Sequence, residues 1–194
     1  FLRNLPIKRR GLTSFTFARY LIPWLVEYSD TPCLFVDGDF IFKDDINGIE
    51  EFYDGTALEV VKSGQRFEWP SLMLMNPSKL KMLTPDYVEN EKNVASLSWA
   101  GDIGELPLEW NFLVGYDEPV WANEPPKGIH YTQGIPWYTE CRNCDYADMW
   151  WDEYHHGMGQ KCTVSWLELM GPSVHAKPVM NKLKANGKSD IGYL

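Results

Sequence analysis

The sequence is short of positive charge, of cysteine and of long apolar runs. Its 194 residues carry 18 Lys and Arg against 27 Asp and Glu, a formal charge of -9. Nucleic-acid affinity rests mainly on cations that neutralise phosphates, so this balance argues against nucleic acid as a partner. What basic charge there is gathers near the ends, at Arg3, Lys8, Arg9 and Arg10 and at Lys177, Lys182, Lys184 and Lys188. Such clusters are ordinarily solvated tails. The four cysteines, Cys33, Cys141, Cys144 and Cys162, are too few for a disulfide scaffold. No stretch approaches the roughly 20 apolar residues of a membrane-spanning helix. Phe1-Leu2-Arg3-Asn4 lacks the charged-then-apolar layout of a signal peptide. The expectation is a soluble, cytoplasmic chain without a membrane span. No repeat or low-complexity linker interrupts it, so one domain over residues 1–170 is expected, followed by a polar tail over 171–194. Neither the oligomeric state nor a protein partner is legible.

A hydrophobic content of 44% is enough to bury one sizeable core. Phe17, Tyr20, Leu21, Trp24 and Leu25 recur at helical spacing behind a Thr13-Ser14 cap, with Pro23 as a kink or early stop. Cys33-Leu34-Phe35-Val36 reads as a buried parallel strand. Further strands are expected over 57–61, 72–75, 112–114 and 129–132. Helices are expected over 47–52, 85–91 (Thr84 as cap, Pro85 in the first turn) and 146–154. Strands interleaved with helices imply an α/β sandwich.

The chemistry centres on Leu34-Phe35-Val36-Asp37-Gly38-Asp39-Phe40-Ile41-Phe42. Ligands of open α/β sheets bind at the carboxyl ends of strands. Two carboxylates one residue apart at such an end are costly to hold charged without a cation. Oxygen ligands of this kind suit Mg2+ or Mn2+, which in turn bridge phosphate oxygens. Asp-Gly after a strand is also a common turn signal, but the apolar residues on both sides disfavour a solvated hairpin turn.

These residues belong to a wider pattern. Thr13-Ser14-Phe15-Thr16-Phe17-Ala18-Arg19-Tyr20-Leu21-Ile22-Pro23, followed by the Asp-Gly-Asp strand, resembles the heart of retaining glycosyltransferases of family eight, which have the GT-A fold. Ser71-Leu72-Met73-Leu74-Met75-Asn76 resembles that family's strand ending in Asn. Asp102-Ile103-Gly104 through Trp110-Asn111 resembles its Asp-containing loop and Trp-Asn pair. His130-Tyr131-Thr132-Gln133-Gly134-Ile135-Pro136-Trp137 resembles its His-X-X-Gly and Pro-Trp motif. The resemblance covers roughly residues 13 to 151.

It implies a GT-A-like nucleotide-diphospho-sugar transferase sandwich. Asp37, Asp39 and His130 would hold Mn2+ or Mg2+. Arg19, Ser14 and Gly134 would contact the donor, most naturally a UDP-sugar, with a structural ion pair as the other reading of Arg19. Asp102 and Asn76 would serve catalysis beside the sugar and a carbohydrate or glycoconjugate acceptor. The sugar would move to an acceptor hydroxyl with retention. Two departures stand out: Ile135 occupies the place of a family Lys that contacts the diphosphate, and only a dozen residues precede the Ser/Thr turn, where the family has a nucleoside-cradling βαβ unit. Either that unit lies outside these residues or the fold has lost it, and in the second case an inactive GT-A-derived sugar- or partner-binding module is the alternative. A haloacid-dehalogenase-type hydrolase also ends its first strand in Asp-X-Asp, but Phe40-Ile41 stands where that motif continues Gly-Thr or similar. Separately, Cys141 and Cys144, with His155, His156 and Cys162, have spacing compatible with structural Zn2+; otherwise they are ordinary thiols. Trp137, Tyr138, Trp150 and Trp151 are candidates for stacking on a sugar or for packing together.

Overall fold

The computed structural model describes residues 6–9, 11, 16–118 and 126–159. Seven strands are found among them: β1 (Cys33–Val36), β2 (Phe40–Phe42), β3 (Leu58–Val61), β4 (Leu72–Met75), β5 (Ile103–Leu106), β6 (Phe112–Leu113) and β7 (Gly128–His130). Three α-helices, α1 (Ile22–Leu25), α2 (Pro85–Asn90) and α3 (Ala147–Gly159), and several 3-10 turns connect or flank them. The chain divides into two compact units, one of Phe1–Phe112 with Val120–His130, the other of Leu113–Pro119 with Tyr131–Leu194. The tail expected over 171–194 lies outside the described residues. Among the described residues no helix is long and apolar enough to cross a membrane.

In the first unit a four-stranded sheet runs in the order β1-β4-β3-β5. β4 is antiparallel to both β1 and β3, and β3 is parallel to β5. The sheet is mixed, and β1, expected as a buried parallel strand, pairs antiparallel with β4 and is half-buried throughout. The reason is its place at the end of the sheet order, with a single strand beside it. β3 and β4 are buried along their whole length because both faces are covered. Leu58, Val60, Met73 and Met75 pack with Tyr20, Leu21, Leu80, Leu83 and Val88 on one face. Val61, Leu72 and Leu74 pack with Ile49, Leu106 and Trp110 on the other. The period of two along each strand sorts the residues between these cores.

Short elements follow local chemistry. Thr84 Oγ1 accepts from the backbone N–H of Tyr87 at 3.2 Å and caps α2, with Pro85 in its first turn. The helix expected around Pro23 is a 3-10 turn, Ala18–Leu21, running into the single turn of α1. Pro23 lies at the start of α1, where its missing N–H has no intrahelical partner to lose.

A second sheet, order β2-β7-β6, leaves the first directly after the Asp-Gly-Asp segment. β2 and β7 are antiparallel with Phe40 opposite His130 and Phe42 opposite Gly128. Gly128 is required there: a Cβ would lie 2.1 Å from the carbonyl oxygen of Trp110 and 2.8 Å from its carbon, both backbone atoms.

Candidate metal centre

Asp37 follows β1, and its backbone N–H donates to the Ser71 carbonyl at 2.8 Å, extending the pairing with β4 by one step. Asp39 precedes β2, so the Phe40–His130 register carries the imidazole to it. His130 is 2% exposed, stacked on Phe40 at 4.3 Å, with Nε2 3.3 Å from Asp39 Oδ1. The ligand atoms of Asp37, Asp39 and His130 lie within 4.8 Å of one another; among the described residues no other His, Cys, Asp and Glu side chains form such a group. The expected triad is brought together.

The donor set fits a hard or borderline divalent cation: two carboxylates and one imidazole. Access fits as well, because a side chain at Gly38 would meet nothing within 4 Å and Asp39 is 34% exposed. Electrostatics point the same way. Desolvation raises the Asp37 carboxyl to about 6 from its ordinary 3.8, and the Asp39 charge adds to the rise while Arg19 and His130 oppose it. Two carboxylates held this close, with Asp37 desolvated, call for more positive charge than one guanidinium supplies.

Arg19 is that guanidinium. It grips Asp37 with both terminal nitrogens, Nη2 to Oδ1 at 2.8 Å and Nη1 to Oδ2 at 3.1 Å. Nη1 also donates to the Pro70 carbonyl at 2.8 Å, and the group lies over the Phe35 ring. Arg19, expected to face the donor, stands beside the triad as the ion-pair partner of Asp37.

Asp102 and Asn76 are not brought to the triad. Asp37 stands where Val36 pairs with Leu72, at the carboxyl end of β1. Asn76 follows Met75 at the opposite end of antiparallel β4, and its N–H bonds to the Ala57 carbonyl. Asp102 precedes β5, whose first residue, Ile103, pairs with Leu58 at that same far end. Four residues of strand separate the two ends by about 13 Å. Asn76 is engaged locally, donating to the Tyr53 hydroxyl and accepting from Ser78, while Asp102 is exposed. The direction of β4 is the cause: it presents Ser71, rather than Asn76, to the triad.

Gly134, in the second unit, has φ +132, and a Cβ there would meet Cys141 Sγ at 3.0 Å. Its backbone and the packing of Cys141 account for the glycine. Ser14 and Cys162 lie outside the described residues. Cys141 donates to the Gln133 carbonyl, and burial pushes both the Cys141 and Cys144 thiols up, Cys144 to about 11. Among the described residues, Cys141 and Cys144 belong to no three-ligand group. Trp137, Trp150, Trp151 and Tyr154 pack on one another with ring centroids 5.0 to 6.2 Å apart.

Ser71 and Asn111 had no assigned role, and each is 1% exposed. Asn111 Oδ1 is 3.1 Å from His130 Nδ1, and Asn111 Nδ2 donates to Ser71 Oγ at 3.0 Å. Ser71 Oγ donates in turn to the Glu68 carbonyl at 2.6 Å. The signal was a polar residue lodged against apolar runs: Ser71 before Leu72–Met75, Asn111 before Phe112–Leu113.

Comparison with known proteins places the fold. No family model matches the chain. It is 32% identical to Protein CDI of Arabidopsis thaliana over 73% of this chain and 64% of that protein. The chain therefore spans less than two thirds of that relative. Among solved structures it is similar to an active-site mutant of LgtC, with a TM-score of 0.52, 16% identity, and coverage of 85% of this chain and 74% of that one. The architecture is thus the GT-A-like α/β sandwich of glycosyltransferases.

Proposed function

We infer that this chain is the cation-binding part of a glycosyltransferase that takes a sugar from a nucleotide diphosphate, most naturally UDP, to an acceptor hydroxyl. The observation that carries the reading is the convergence of Asp37, Asp39 and His130 where β1 ends in a GT-A-like sheet. These three side chains would hold Mn2+ or Mg2+. Bound there, the cation would serve as a Lewis acid that neutralises charge growing on the departing diphosphate. The chain's own contribution is positioning. Asp37 and Asp39 are fixed by the strand end and its continuation into β2, and Arg19 keeps the Asp37 carboxylate oriented. No strongly basic residue is needed if the acceptor hydroxyl attacks from the side of the leaving group, the course that retention implies.

One observation favours the second reading, a module that binds a cation and a diphosphate without turnover. Asp102 and Asn76, the residues expected to act on the sugar, stand at the far end of the sheet. Calorimetric titration with Mn2+, then with UDP and UDP-sugars in its presence, separates the readings when paired with a donor-hydrolysis assay. Mn2+ binding that disappears in Asp39→Asn, with Mn2+-dependent UDP binding and release of sugar, supports the transferase. The same binding without any release supports the module. Wild type and Asp39→Asn giving the same Mn2+ isotherm refutes both.

A further inference from the structure

We propose that Asn111 and Ser71 are positioning residues that lock His130 in the tautomer with its proton on Nδ1, leaving the Nε2 lone pair facing Asp39. This rests on the proposed metal site for its purpose, but not for its physical argument. A backbone carbonyl can only accept hydrogen bonds. The Glu68 carbonyl, 2.6 Å from Ser71 Oγ, therefore takes the single hydroxyl proton of Ser71. Ser71 Oγ is then an acceptor toward Asn111, which must turn its amide NH2 to it at 3.0 Å. That leaves Asn111 Oδ1, again only an acceptor, against His130 Nδ1 at 3.1 Å, so Nδ1 carries the hydrogen.

Each link is sealed from water. Ser71 and Asn111 are 1% exposed and His130 is 2% exposed. Reversing the relay would set the Ser71 oxygen against the Glu68 carbonyl oxygen, two acceptors 2.6 Å apart and sealed from water. The opposite edge of the ring meets Asp39 Oδ1, itself an acceptor, at 3.3 Å, so the Nε2 lone pair and the carboxylate face each other across the place a cation would fill. Metal-ligating histidines are commonly held by just such an acceptor on the second nitrogen. The Phe40 ring, stacked on the imidazole at 4.3 Å, keeps the ring plane.

The tautomer is readable without any metal. Long-range 1H-15N correlation spectra of chelator-treated protein, recorded across a pH series, give the state of each ring nitrogen. His130 is assigned by comparison with His130→Gln. The expected result is a pyrrole-type Nδ1 and a pyridine-type Nε2; the reverse pattern overturns the proposal. Asn111→Asp keeps the acceptor toward Nδ1 but loses the donor to Ser71 Oγ, and it is expected to keep Nδ1 protonated. Asn111→Leu is expected to lose the pattern and weaken Mn2+ binding by about 10–100-fold. Should Asn111→Leu fail to fold, Ser71→Ala reads the same relay one bond further out, with Nδ1 protonation expected to become partial. An unchanged spectrum in Asn111→Leu, or in Ser71→Ala where the leucine variant does not fold, overturns the proposal. Failure of the metal reading is distinct: wild type would then show the locked tautomer and bind no Mn2+.

Discussion

Glu59 tests the energetics of this sheet most directly, away from the proposed cation. It sits on β3 between the two cores and is 1% exposed. Oε1 accepts from the Asp54 N–H at 3.0 Å and from Thr56 Oγ1 at 3.3 Å; Oε2 is buried without a partner. The adjacent strand crowds it, since a Cβ on Gly104 would lie 2.5 Å from Glu59 Cγ. Burial pushes the carboxyl up to about 7 from its ordinary 4.5, the Asp54 N–H opposes that rise, and the Asp54 carboxylate adds to it. The gap corresponds to about 3 kcal/mol. Below pH 4.5 the group is protonated in both folded and unfolded chains, and its contribution to stability is complete. Between 4.5 and 7 the folded chain keeps a proton that the unfolded chain has released, so stability falls as pH rises. Above 7 the loss is complete. Glu59→Gln replaces the protonated form with a neutral group of the same shape and should remove this dependence. Urea denaturation with chelator present, followed by Trp fluorescence at pH 4 to 8, measures it. The variant should match wild type at the acid end and exceed it by about 3 kcal/mol at pH 8, or about 1–2 M in urea midpoint. Other titrating groups are common to both proteins and cancel in the difference. Parallel curves, or a variant less stable at pH 8, would refute the account.

Gly128→Ala should destabilise the chain by about 3 kcal/mol, because the new methyl meets the Trp110 backbone, which cannot swing aside as a side chain can. It should also weaken Mn2+ binding, since His130 is two residues along the same strand; a stability loss under about 1 kcal/mol counts against the required close approach. Cys141→Ser should leave thermal stability nearly unchanged, and protein purified without added metal should hold far less than one zinc per chain. Stoichiometric zinc together with a sharp loss of stability in the variant would establish the zinc reading.

The parts legible in the sequence were those governed by short-range chemistry. Leu72–Met75 reads as a strand because every residue is apolar, and it is covered on both faces. Thr84 and Pro85 mark a helix start that the cap geometry bears out. Asp37, Asp39 and His130 were paired by resemblance, and the physical cause of their meeting is the register that sets Phe40 opposite His130. Strand direction was not legible. An apolar run has two flanks, Ser71 and Asn76, and only the antiparallel pairing with β1 decides which one faces Asp37. Asp102 was assigned by resemblance alone; β5, which it precedes, was not among the expected strands, and the pairing of Ile103 with Leu58 sets it at the far end of the sheet. That Arg19 forms an ion pair was one of its two readings, but its partner was not legible, because nothing in the spacing of a short helix and a following strand says which carboxylate a long side chain will reach.

Arg19 has a consequence for what the site can bind. Both Asp37 oxygens face its nitrogens, yet each carboxylate oxygen has a second lone pair, so the ion pair and a cation can share the group. Under the proposed reading, a divalent cation joined to Arg19 more than cancels Asp37 and Asp39. An imidazole held neutral on Nε2 adds no charge. The loaded centre is then net positive beside the open space at Gly38, and the missing charge is that of an anion with several oxygens. A diphosphate meets that need, whereas a neutral sugar does not. Cation and diphosphate should therefore bind with strong mutual dependence, and the sugar should add little to either.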